Sequence, residues 1–312
     1  MGRDRIALSI RAEDLALALD RHHDYRVQQR LAVMDRRASG GGHADGMVGL
    51  ALAIHASGSD HRRHQIVELA LQRFRLDGRD RIAETGRRRT WLEEPATPIS
   101  VASARDTDLV DADLIGRAIS EGEATSLLLD VDFVVAHGAA TIRPFVEHRL
   151  PLGAGRPWVC SLDDVDWRDE GFDGSRLAEL IAPMGWFYEA HRAEDDVTAL
   201  LHLLDHTLGD GATVAGRALS RAGRADWIVE AEDVPVSAQD VLTERGYRWD
   251  AFRKAWSASI SDEAVSAEIA WATMMLYSGR RQPTARKITW CERYARVGCA
   301  EGQSGSSSSS HC

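Results

Sequence analysis

Residues 49–77 read GLALAIHASGSDHRRHQIVELALQRFRLD, two apolar runs joined by a polar turn. In an extended chain Ala51, Ala53 and His55 fall on one face of the first run, and Leu50, Leu52 and Ile54 on the other. The second run, from Ile66 to about Leu76, carries Glu68 among apolar neighbours. A strand that opens a domain and ends in a Gly-containing turn is a common place to hang catalytic groups. This one offers Ala, His, Ala and Ser, and no carboxylate.

Outward from this pair the spacing predicts three opening strands, 48–55, 65–76 and 80–91. A helix near 111–126, a buried strand at 131–136, a helix across 142–149 and a short strand in RPWVCSL follow. DGSRLAELIAPM reads as a helix capped by Asp173 or Ser175, and HRAEDDVTALLHLLDHTL as a long amphipathic helix. A meander followed by alternating helices and strands implies an α/β fold, a mixed sheet flanked by helices. Residues 1–46 read as an N-terminal helical segment ending in the Gly-rich break RRASGGGHADG (36–46). The main domain then spans 47–208 and 209–225 reads as a linker. A small α+β domain covers 226–295, and 296–312 is a disordered Gly/Ser tail that has nothing apolar to bury.

Composition excludes some functions. With 44% hydrophobic and 28% charged residues, 312 residues suffice for about two domains of a soluble protein. No apolar run approaches the roughly 20 residues of a membrane helix, and the N-terminus mixes acids and arginines into its apolar stretch, unlike a signal peptide. Cys160, Cys291, Cys299 and Cys312 form no CxxC pair, which predicts free thiols and a cytoplasmic location. The net charge of −10 counts mildly against phosphate gripping, which draws its affinity from Lys and Arg.

Three segments, VVAHGAATIRPFVEHRL (134–150), WVCSLDDVDW (158–167) and GWFYEAHRAEDDVTALLHLL (185–204), together resemble the DEDD-type, DnaQ-like 3′–5′ exonucleases. The last of them carries the family's His-x-Ala-x-x-Asp as His191 to Asp196. The resemblance covers about 47–208 and implies a ribonuclease H-like fold. It further implies a catalytic centre of four carboxylates around two divalent ions, Mg²⁺ or Mn²⁺, about 4 Å apart. Here the first-motif Asp and Glu are Ala53 and His55, and the second-motif Asp is Ile142. Only His191, the family's general base, and Asp196, its metal ligand, persist. The wall loop reads Thr107-Asp108-Leu109-Val110 and lacks the family's glycine.

The resemblance therefore implies single-stranded DNA or RNA as ligand, contacted by Thr107, His137 and Arg192. In the small domain, Asp240, Gly246, Tyr247, Trp249, Asp250, Lys254 and Trp256 resemble an accessory module of some bacterial exonuclease-like proteins. Tyr247 and Trp249 beside Arg253 and Lys254 are candidates for stacking bases, although such rings more often build a small core. His55, His61, His64 and His137 match no zinc spacing, and the arginines of RRRTW (87–91) read as a solvated cluster. The expected function is non-catalytic binding of nucleic acid or of a repair or replication protein, with no cofactor. The alternative is an active 3′–5′ exonuclease with a non-standard ligand set.

Overall fold

The computed structural model describes residues 11–37, 46–250 and 253–295. Its strands are β1 (Gln29–Arg30), β2 (Val48–Ala56), β3 (Ile66–Leu76), β4 (Ile82–Thr85), β5 (Arg89–Leu92), β6 (Phe133–Ala136), β7 (Trp158–Cys160) and β8 (Trp186–Phe187), then β9 (Asp226–Glu232), β10 (Arg248–Asp250), β11 (Ala255–Ser261) and β12 (Thr284–Ile288). Its α-helices are α1 (Ala12–Asp20), α2 (Val101–Thr107), α3 (Asp111–Leu114), α4 (Glu121–Leu129), α5 (Ala139–Arg149), α6 (Leu177–Ile181), α7 (Ala193–Leu204), α8 (Val214–Ala222), α9 (Gln239–Glu244) and α10 (Val265–Tyr277).

The main sheet runs β4-β3-β2-β6-β7, with β5 also on β3. β3 pairs antiparallel with β2, β4 and β5, whereas β2, β6 and β7 are parallel. This mixed order is that of a ribonuclease H-like fold, as expected. Alternation along β2 explains why it lies at the centre. Ala51 and Ala53 pack with α7 in one apolar layer, while Leu50 and Leu52 pack with Val146 of α5 and Leu128 of α4 in the other. A strand covered on both faces reads as a continuous apolar run. Gly49 belongs to the same design, because a Cβ there would fall 2.3 Å from the Phe74 ring.

Several expected elements need correction. Among the described residues 11–37 of the expected helical segment, only α1 is helical; Val27, Leu31 and Val33 flank Gln29 and Arg30, which pair with β8 in parallel, and residues 1–10 lie outside the described residues. Leu31 packs against the core and Met34 is buried in it, whereas Val33 is exposed, so burial here follows the tertiary contacts rather than a helical stripe. The strand at 80–91 breaks into β4 and β5 at Gly86, whose carbonyl accepts from Gln72 Nε2. The helix at 111–126 is instead α3 and α4, separated by Gly116 at φ +70°, and α2 precedes them. The helix at 142–149 starts earlier, at Ala139. α6 begins at Leu177, with Glu179 accepting the Arg176 N–H, so neither Asp173 nor Ser175 caps it. The stretch 209–225 contains α8, whose Val214, Ala215, Ala218 and Ala222 are buried in the main core. Cys291 is disulfide-bonded, contrary to the expectation of free thiols, whereas Cys160 is free and buried.

In the small unit a four-stranded antiparallel sheet, β10-β11-β9-β12, carries α10. Arg293 joins it to the main sheet's loops: it bridges buried Asp164 at 2.6 Å and buried Asp226 at 3.1 Å. Arg143 of α5, 1% exposed, donates to the carbonyls of Arg293 and Cys291. The expected tail, 296–312, lies outside the described residues. No helix among the described residues is long and apolar enough to cross a membrane.

Candidate functional site

The site gathers where the N-terminus of α7 meets β2 and β3. Glu68 of β3 is fully buried. Its Oε1 accepts from Arg192 Nε at 2.9 Å and Nη2 at 2.7 Å, and its Oε2 accepts the Ala193 N–H at 3.0 Å. Both oxygens are thus spent fastening the start of α7 to the sheet. A buried carboxylate is tolerated only when paired and hydrogen-bonded in this way. The signal was present in the sequence as an acid inside an apolar run, but its partner could not be read there.

One turn into α7, Asp196 faces His55. The two are 3.7 Å apart from Nε2 to Oδ2, and Tyr188 Oη donates to Asp196 Oδ1 at 2.9 Å. Burial raises the Asp196 carboxyl to about 6; neighbouring Asp195 and Glu68 add to the rise and the Tyr188 hydrogen bond opposes it. Burial pushes His55 below the usual imidazole range, so its neutral form faces the carboxyl at neutral pH. His191 Nδ1 lies 3.1 Å from the Asp106 carbonyl, and its ring is exposed.

Next to His55 lies a cleft of about 480 Å³, with Gly58, His64, Asp106, Thr107 and Ile142 in its walls. Gly58 is needed in the β2–β3 turn because a Cβ would fall 2.5 Å from the His64 ring. The Thr107 hydroxyl is buried; it donates to the Ser103 carbonyl at 2.8 Å and accepts the Leu109 N–H at 3.2 Å. Ile142 presents a hydrocarbon to the cleft, and Ala53 is buried in the α7-side core.

The structure brings His55, Thr107 and Ile142 around one cleft, and Asp196 beside His55. His137 does not line that cleft: its Nδ1 is 2.9 Å from Ser161 Oγ and its Nε2 2.8 Å from the Ser175 carbonyl. Arg192 is committed to Glu68. Tyr247, a candidate for stacking bases, is 2% exposed and donates to Glu268 at 3.1 Å; it belongs to the small unit's core, the commoner place for such a ring. Trp249 is half exposed against Trp256, Arg253 pairs with Glu230, and Lys254 is exposed at φ +53° between β10 and β11. Of the RRRTW arginines, Arg88 pairs with Glu194 and Arg89 with Glu123.

No family pattern matches this sequence, and no curated protein matches it. Among solved structures, one similar chain is exonuclease X in complex with 5′-overhanging duplex DNA, at 14% identity and TM-score 0.40, covering 55% of this chain and 99% of that one. Another is the zinc-bound complex of Escherichia coli ExoI with single-stranded DNA, at 14% identity and TM-score 0.44. A third, exonuclease I in its apo form, shares 12% identity at TM-score 0.43. This chain spans 40% of the second and 50% of the third.

Proposed function

We propose that this protein keeps an exonuclease-type cleft without a two-metal centre, and binds single-stranded nucleic acid or a repair or replication partner without cutting it. The reading rests above all on Ala53, His55 and Ile142, which stand where the resemblance calls for three carboxylates. Mg²⁺ and Mn²⁺ are held through oxygen ligands, with Mg²⁺ usually keeping several waters. Asp196 alone among the family positions supplies carboxylate oxygens, and one of these already accepts from Tyr188. Both oxygens of Glu68 are engaged as well. These donors do not fit a pair of hard cations, so the binding is expected to need neither ion. Exposed Arg62, on the β2–β3 turn, and Arg105, on α2, belong to segments that wall the cleft and are suited to phosphates.

The test is incubation of the purified protein with labelled single-stranded DNA and RNA in Mg²⁺ or Mn²⁺, beside Asp196→Ala. Retention of the oligonucleotide at full length is expected. Shortening by wild type that disappears in the variant would establish the alternative, an exonuclease with an unusual ligand set. The triple replacement Ala53→Asp, His55→Glu and Ile142→Asp should confer Mn²⁺ binding measurable by calorimetry, where the wild-type cleft binds none.

A further inference from the structure

We propose that His22, His23 and Asp24, just beyond α1, form a binding site for a borderline transition-metal ion, best suited to Zn²⁺. The site is separate from the cleft and shares no residue with it. Among the described residues these three are the one group of three or more His, Cys, Asp or Glu side chains with ligand atoms close enough to share an ion, all within 4.8 Å of one another. Bonds of about 2.1 Å in a tetrahedron place donors about 3.4 Å apart. His23 Nε2 and Asp24 Oδ1 are already 3.2 Å apart, and His22 Nδ1 and Asp24 Oδ2 are 3.8 Å apart. Small side-chain rotations would close this set around one ion. His22 Nδ1 accepts the Asp24 N–H at 3.3 Å, which marks it as the unprotonated ring nitrogen, and a metal ion there would replace this long hydrogen bond. All three residues are exposed, so water can complete the coordination.

A second, independent observation concerns α1 itself. The helix buries none of its residues, and its last turn carries no basic side chain. Arg21, the C-cap residue, sets a positive charge beside its C-terminal carbonyls. The His22 N–H donates to the Leu19 carbonyl, so the donor cluster is fastened directly to that last turn. A divalent ion on His22, His23 and Asp24 would add to that charge and staple a helix none of whose residues is buried. Two imidazole nitrogens and one carboxylate favour Zn²⁺ over Mg²⁺.

The experiment compares the full chain with His22→Ala/His23→Ala. Zn²⁺ stoichiometry is read by competition with a chromophoric chelator, and hydrogen–deuterium exchange is followed in residues 12–20. Wild type should take one more equivalent than the double variant. At a free Zn²⁺ concentration ten times the Kd, exchange in α1 should slow about tenfold in wild type alone. Mg²⁺ at the same concentration should leave exchange unchanged. Equal stoichiometry in the two proteins overturns the assignment, as does exchange in α1 that Zn²⁺ does not slow or that Mg²⁺ slows equally.

Discussion

Asp196 is a carboxylate whose surroundings work against its charge. Its folded value of about 6 lies above the ordinary 3.8, chiefly through burial. A raised carboxyl leaves stability intact below the unfolded value and removes it as pH climbs through the folded one. The penalty therefore develops between about pH 4 and 6 and is complete at neutral pH, where a shift of this size corresponds to about 3 kcal/mol. Asp196→Asn, which can still accept from Tyr188, should stabilise the protein by about 2–3 kcal/mol at pH 7.5 and by almost nothing at pH 4. Urea unfolding at the two pH values checks this, and an equal effect at both would contradict it. A bound divalent ion would lift the same penalty, which is the usual reason to bury such a group. Here a neutral imidazole stands opposite the carboxyl instead.

At the scale of elements, three joints fasten segments that are distant along the chain. Glu68 pins the start of α7 to β3, the 26–37 segment pairs β1 with β8, and Arg293 ties the small sheet to the loop after β7. Asp164 and Asp226 are both buried beside Arg293, and burial pushes Asp164 upward while Arg293 pulls it back. Arg293→Met leaves buried Asp164 without its ion pair, while Arg221 still pairs with Asp226 at 2.9 Å, and should cost about 3 kcal/mol. Because Arg143 also donates to the Arg293 and Cys291 carbonyls, the loss should fall on the attachment of the small sheet. Calorimetry is expected to show the 226–295 unit melting at lower temperature than the main sheet. An undivided, unshifted transition would show that this joint contributes little. None of these joints could be read from the sequence, because each links residues that are far apart along the chain.

For the whole molecule, a net charge of −10 means that any hold on nucleic acid must come from a local patch. If Arg62 and Arg105 each engage one phosphate, the logarithm of affinity for single-stranded DNA should fall with the logarithm of salt at a slope of about −1.4. Fluorescence anisotropy across a salt series measures this slope. A slope steeper than about −4 would place the contacts on another surface, and retention independent of salt would favour a protein partner. Arg62→Ala with Arg105→Ala should abolish most of the dependence.

The order of strands and helices through the main sheet was legible in the sequence, because apolar period and turn residues are local signals. The sequence also carries alanine, histidine and isoleucine at 53, 55 and 142 and an aspartate at 196, the residues on which the proposed reading of the cleft rests. Local signals failed where tertiary packing overrode them: 26–37 lies extended against β8 and the core, and 209–225 contributes a helix to that core. Only the tertiary structure decided what Glu68 does, which partner faces Asp196, and that Tyr247 is inside. Each of those depends on a residue distant in the chain arriving within a few ångströms, and burial, which sets the charge of Asp196 and the accessibility of Tyr247, exists only after that arrival.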